Sequence, residues 1–407
     1  MSDNAFWGGV SMGYAPIIGR DKQVMATRLT VFSHRSVFPA PEVGVLVDAL
    51  VQAWPDGLPQ ISLNVLSEGM LLQLFHAELP ERLMIEVPSF LAADATHVDL
   101  INRLAKRGHP LLVKGRLASE LPPTVAGAFR YSLLDLQDDI RARGEMPAER
   151  PGQRAGMAGE VRLVQSGVHS IADMDASFRR GAVAVAGWPV DEAVTGGQKP
   201  NKLTMPPDLA VIAELISRTD RQEPLDRLED TLRRDPTLAF KLLRYMNSAA
   251  FGLRVEISSF RHAIMMLGYD RLKRWLALLL ATASKDVNQR PLMFAAVRRG
   301  LFLEEVTRES GDDEMRGELF ICGVFSLLDR MFRQPFAELL QAIPVPERVL
   351  QALVDHEGPF HAHMELVRAT ESESLFDMQS TAEALMLGPA EVNRALVRAL
   401  ARATHLD

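Results

Sequence analysis

The chain has 407 residues, of which 47% are hydrophobic, with a formal net charge of −7 and a single cysteine, Cys322. Domains of about 100–200 residues make that length two or three domains, and the apolar content excludes wholesale disorder. The acidic balance gives no general attraction to nucleic acid or anionic membranes, and one cysteine excludes an internal disulfide.

Short apolar runs alternate with helical patterns through the first half. Tyr14–Ile18 and Val24–Phe32 read as strands joined by a turn at Gly19–Lys22. A helix is predicted around Glu42–Ala53, a strand at Ile61–Val65, a helix at Glu68–His76 and a strand at Leu83–Val87. Then come a helix at His97–Arg107, strands at Pro110–Val113 and Tyr131–Leu136, and a helix at Gln137–Arg143. Val161–Val164 and Ala182–Val185 close the series, with a helix at Ile171–Arg179 between them. This alternation calls for a mainly parallel sheet covered by helices. Seven or more units without a Gly-rich phosphate turn favour a (β/α) barrel, although the segment before Trp188 is lean for eight full units.

Gly144 to Gly159 is rich in Gly, Pro and Arg and reads as a mobile loop. The linker is placed at 195–207, because beyond it the pattern becomes purely helical. Domains are thus expected at 1–194 and 208–407. Asp235-Pro236 is a helix start, with a capping carboxylate and a proline in the first turn. Ala263, Ile264 and Leu267 mark a helix that Gly268 ends, and Asp270 opens the next. Helical patterns follow at Leu292–Glu309, Glu314–Arg330, Phe336–Ala342, Pro346–Asp355, Ala362–Glu373 and Ala390–Thr404. The N-terminus lacks a basic, apolar signal pattern. The longest apolar run, Trp275–Ala281, is far short of the roughly 20 residues that span a bilayer. A cytoplasmic protein without membrane insertion is the expectation.

The run RDPTLAFKLLRYMNSAAFG followed by ISSFRHAIMMLG resembles the signature of the HDOD domain of bacterial signalling proteins. Asp235-Pro236, the pair Asn247-Ser248, and Ala263-Ile264 through Leu267-Gly268 carry the resemblance. Asn247 and Ser248 lie where a helix must stop and are read as a structural turn. The resemblance implies an all-helical relative of metal-dependent HD phosphohydrolases that has lost its catalytic His and Asp. Ser326 and Leu327 stand in their places, and Arg299 stands where an upstream His ligand would be.

More weakly, the first half resembles the EAL domain of cyclic-di-GMP phosphodiesterases. Asn64 in SLNVLS and Glu86 in LMIEV match metal-ligand positions, and Asp135 in SLLDL matches the Asp of the family's K-I-D strand. The rest departs from the pattern. Arg28 replaces the Glu of the E-x-L strand, and Phe32 the Arg that follows it. Lys114-Gly115 replaces paired Asp residues, Leu133 a Lys, Gln165 a late Glu, and Ala186 the Gln of a Q-G turn. Hydrolysis of a phosphodiester needs clustered carboxylates around divalent cations. The resemblance therefore implies a degenerate barrel without catalytic residues, metal or cofactor.

Asp355, His356, Glu357, His361 and His363 form the densest histidine cluster, but Gly358-Pro359 interrupts any helix that would align them. Solvated loop residues are the better reading than zinc ligands. Arg271, Lys273 and Arg274 read as the wet face of an amphipathic helix, not a nucleic-acid surface. The expected function is a non-catalytic adaptor in cyclic-di-GMP-related signalling. Its expected partners are a sensor kinase, a cyclic-di-GMP enzyme or a regulator, with a homodimer as the expected assembly. The rival readings are a cyclic-di-GMP receptor and, last, a residual phosphodiesterase.

Overall fold

A computed structural model of the chain describes residues 6–34, 42–54, 60–80, 83–115, 121–144, 161–190, 207–232, 260–282, 284, 286–310, 312–343 and 345–403. The chain divides into two compact units, residues 1–192 with 365–407, and residues 193–364. The helical domain expected over 208–407 is therefore not one body. Its last segment, from Glu365, belongs with the barrel.

The first unit is built on a closed barrel in which eight strands follow one another in chain order. They are β1 Val10–Gly19, β2 Val24–Ser33, β3 Gln60–Val65, β4 Leu83–Pro88, β5 Leu111–Lys114, β6 Tyr131–Asp135, β7 Arg162–Ser166 and β8 Ala184–Ala186. β1 runs antiparallel to both β2 and β8, and every other pairing is parallel. β1 starts before the predicted Tyr14 because Val10 to Gly13 pair with Ser33 to Thr30. The barrel closes although β8 is short: Ile17 to Gly19 pair with Ala186 to Ala184, and the Gly187 N–H donates to the Pro16 carbonyl at 3.1 Å. Gly187 has φ +142, and a Cβ there would lie 2.4 Å from the Val168 carbonyl oxygen, so no side chain fits.

The helices Glu68–His76 and Ile171–Arg179 span the residues that periodicity predicts. Each starts at a serine whose hydroxyl accepts a first-turn amide, Ser67 from Met70 and Ser170 from Asp173. Ser89–Ala93 and Pro123–Ala126 are short helices with too few turns to print a period.

Alternation along the strands sorts side chains between the lumen and the surrounding helices. Ala26, Met84, Leu112, Tyr131, Val164 and Ala184 cluster inside the barrel as an apolar floor. Val185 and Ile18 point the other way and pack with Leu136, Val168 and Met174. The lumen positions two residues further along β2 to β5 are polar or charged, and this change of character creates the site.

The C-terminal segment adds the helices Leu375–Ala384 and Pro389–Ala403 to this unit. The second buries Val392, Leu396 and Leu400 at a four-residue spacing. Asn393 is buried with them and serves β1: its Oδ1 accepts the Met12 N–H at 3.0 Å, and its Nδ2 donates to the carbonyls of Trp7 and Val10 at 2.9 and 2.8 Å.

The second unit contains only helices and turns among its described residues. The helix Phe260–Thr282 is broken at Gly268, which has φ 74 and ψ 167, where the sequence places a helix end. Arg290–Val306 packs on Asp313–Phe325 through facing glycines. A Cβ on Gly323 would lie 2.5 Å from the Gly300 nitrogen, so the backbones approach as closely as sterics allow. The single helix predicted for Glu314–Arg330 is interrupted at Ser326-Leu327, and Leu328–Phe332 resumes after it. Asp235-Pro236, Asn247 and Ser248 lie outside the described residues. Cys322 is buried. No helix among the described residues is long and apolar enough to cross a membrane.

Candidate functional site

The polar lumen residues lie toward the C-terminal ends of the parallel strands, the end at which (β/α) barrels build sites. Arg28 on β2 reaches Glu86 on β4 with two parallel bonds, Nε to Oε1 at 2.8 Å and Nη2 to Oε2 at 2.9 Å. Ser62 on β3 donates to the same Oε1 at 2.9 Å. Glu86 has no exposed surface, so its charge is met entirely inside the protein. One step further along, Lys114 on β5 donates to Asn64 Oδ1 at 2.5 Å, and Asn64 Nδ2 donates to Thr30 Oγ1 at 3.0 Å.

A residue remote in sequence completes the cluster. Glu373 lies in the turn between the helices His361–Glu371 and Leu375–Ala384. Its Oε2 accepts Arg28 Nη1 at 2.9 Å, and its Oε1 accepts the Thr30 hydroxyl at 2.6 Å. Gly13 makes the approach feasible, because a Cβ on β1 at that point would lie 2.9 Å from the Thr370 carbonyl oxygen and 3.1 Å from the Glu373 Cα. Glu373 itself sits at φ 54, in the left-handed region that non-glycine residues seldom adopt.

Two cations therefore face two carboxylates. Burial works against the Arg28 charge, but Glu86 and Glu373 outweigh it and hold the guanidinium pKa above its ordinary value. Lys114 goes the other way. Burial lowers its pKa, Glu86 opposes that, and the nearby Arg28 adds to it.

The structure brings Asn64, Glu86, Arg28 and Lys114 together in one bonded network. Asp135 ends β6, where its Oδ1 accepts the Gln137 N–H at 2.9 Å at the start of the next helix. Leu133 and Ala186 fill the apolar side of the lumen. Gln165 alternates with the lumen residue Val164, which puts it on the outer face of β7, and its Nε2 donates to the Leu134 carbonyl at 2.8 Å. It is not a lumen replacement for a carboxylate. Phe32 is half-buried near the end of β2, and Gly115 follows β5 at φ 100. The sequence reading missed Ser62, Thr30 and Glu373. Period-two alternation from Arg28 and Asn64 marks the first two; no local pattern marks the third.

The donor set does not suit a divalent cation. A metal needs free carboxylates. Here both oxygens of Glu86 are bonded to Arg28, Asn64 is bonded to Lys114, and any added cation would meet two existing ones.

In the second unit, Arg299 and Ser326 do meet, Nη1 donating to the hydroxyl at 3.1 Å while that hydroxyl donates to the Gly323 carbonyl at 2.7 Å. Leu327 is fully buried among apolar side chains. Burial pushes the nearby Asp329 carboxyl up, against the pull of Arg330 and Arg299. Among the described residues, no three His, Cys, Asp or Glu side chains are grouped to hold a metal. His363 bonds the Pro359 carbonyl through Nδ1, and His356 terminates a π-helical turn at φ 56.

Residues 204–339 match the HDOD domain family. The chain is 30% identical over 158 residues to cyclic di-GMP phosphodiesterase CdgJ of Vibrio cholerae, covering 38% of this chain and 37% of the relative. It is 27% identical over 168 residues to the uncharacterized protein YuxH of Bacillus subtilis, covering 40% of each. The chain thus spans about two fifths of the length of these curated relatives. A solved structure of a standalone EAL protein from Vibrio cholerae with c-di-GMP bound is similar at 13% identity and a TM-score of 0.29, over 44% of this chain and 90% of that one. The chain therefore combines a closed eight-stranded barrel with a region, residues 204–339, that matches the HDOD domain family.

Proposed function

We propose that this protein is a non-catalytic adaptor in bacterial cyclic-di-GMP-related signalling and that it works by binding protein partners. One observation carries the reading. The two lumen groups that match metal-ligand positions, Glu86 and Asn64, are bonded to Arg28 and Lys114. A phosphodiesterase would need those groups for divalent cations. The HDOD match and the likeness to a protein named as a cyclic di-GMP phosphodiesterase support the signalling context. The partners we propose are a sensor kinase, a cyclic-di-GMP enzyme or a regulator, and the assembly is a homodimer in the cytoplasm.

Calorimetric titration with cyclic-di-GMP, with and without magnesium or manganese, followed by chromatography of the mixture, tests the reading. The adaptor gives no linear or mononucleotide product under any condition. Metal-dependent turnover abolished by Glu86→Ala would overturn it, and saturable binding without turnover would make the protein a nucleotide receptor instead.

A further inference from the structure

We propose that Arg28 and Thr30 form a carboxylate-recognition site at the barrel mouth, that Glu373 fills it as an internal ligand, and that a small organic carboxylate displacing Glu373 releases the turn that carries it. This does not depend on the signalling role proposed above.

The site is built without its occupant. Glu86 holds Nε and Nη2 of Arg28, which leaves Nη1 directed at the mouth. Asn64 donates to Thr30 Oγ1, which leaves the hydroxyl hydrogen free to be donated outward. Two fixed donors thus address two separate oxygens, at 2.9 and 2.6 Å, and a planar carboxylate matches that arrangement. The charge also favours an anion. Glu86 balances one of the two cations, and the other is balanced only when a second carboxylate is present.

The occupant is held under strain. Glu373 takes a left-handed backbone at φ 54, and its turn reaches the mouth only because Gly13 offers no side chain. Strained backbone persists where surrounding contacts enforce it, and it relaxes when they are lost. Glu373 is therefore suited to act as a latch.

Hydrogen exchange over residues 372–377 and thermal unfolding of the full chain test the proposal, with sodium formate compared against sodium chloride at equal ionic strength. In Glu373→Ala, exchange is expected to rise at least tenfold, and formate is expected to raise the unfolding temperature saturably where chloride does not. Adding Thr30→Val to that variant should remove the formate response. In the wild-type chain, formate should speed exchange at the turn beyond chloride as its concentration approaches the effective concentration of the tethered side chain. That arm does not require any variant to fold. Equal responses to the two salts in both chains would overturn the proposal, as would a formate response that survives Thr30→Val.

Discussion

Glu86 has no exposed surface, and its carboxylate accepts bonds from Arg28 and Ser62. An ion pair in such a place adds little net stability over an apolar pair, but removing one partner leaves a buried charge uncompensated. Arg28→Met is therefore expected to destabilise the barrel by about 3–5 kcal/mol. Adding Glu86→Gln should recover part of that loss, because a neutral amide needs no counter-charge. Hydrogen exchange of the β2 to β4 amides in the wild type, both single variants and the double variant reads the barrel alone. A double variant as unstable as the sum of the singles would show that the two residues are not coupled. At this scale the sequence was informative through its resemblance to the EAL pattern. Arg28, Asn64, Glu86 and Lys114 were all marked, and the structure joins them in one network. Gln165 shows how the reading fails. A one-residue slip on a strand moves a side chain to the opposite face, and nothing in the composition of β7 fixes the register.

At the scale of elements, two glycines on one helix, Asp313–Phe325, make opposite demands. Gly323 faces the backbone of Gly300 and Arg299, where an added Cβ would meet main-chain atoms at 2.5 and 2.6 Å. Neither atom can rotate away, so the helices must separate. Gly317 has nothing within 4 Å of its added Cβ. Gly323→Ala is expected to cost about 1–3 kcal/mol by overpacking, whereas Gly317→Ala should gain about 0.5–1 kcal/mol from helix propensity. Exchange protection along Arg290–Val306 should fall in the first variant and rise in the second. If both variants raised it, propensity and not close packing would govern this pair. Capped, strongly periodic helices such as Glu68–His76 and Ile171–Arg179 were legible to the residue, because serine caps and apolar spacing agree there. The interruption at Ser326-Leu327 was not, because fully buried Leu327 keeps the apolar pattern running through the break.

At the scale of the molecule, the barrel unit is discontinuous in sequence: residues 365–407 complete what residues 1–192 begin. A helical pattern reports which face of a helix is apolar, but not which core buries it. The sequence therefore assigned the last helices to the domain they follow. Polar, long-range bonds add to the apolar contacts that tie them to the barrel. Asn393 bonds backbone groups of Trp7, Val10 and Met12, and Glu373 bonds Arg28 and Thr30. A chain ending at residue 364 would lose the bonds to Trp7, Val10, Met12, Arg28 and Thr30 and expose the apolar surface under Val392, Leu396 and Leu400. A hydrogen bond contributes about 0.5–1.5 kcal/mol net, and more where a buried group is left unsatisfied, so losing five is a sizeable share of the 5–15 kcal/mol that hold a whole domain together. The shortened chain is thus expected to lose the near-ultraviolet circular dichroism of the barrel aromatics and to bind a hydrophobic dye. Asn393→Ala, which removes three of the bonds and keeps the apolar contacts, should fall between it and the wild type. A shortened chain that keeps native dichroism and slow exchange in β1 and β2 would show that residues 1–192 fold alone and that the returning helices are an accessory. The ordering of the three chains therefore decides whether the C-terminal segment is part of the barrel's structure or only rests on it.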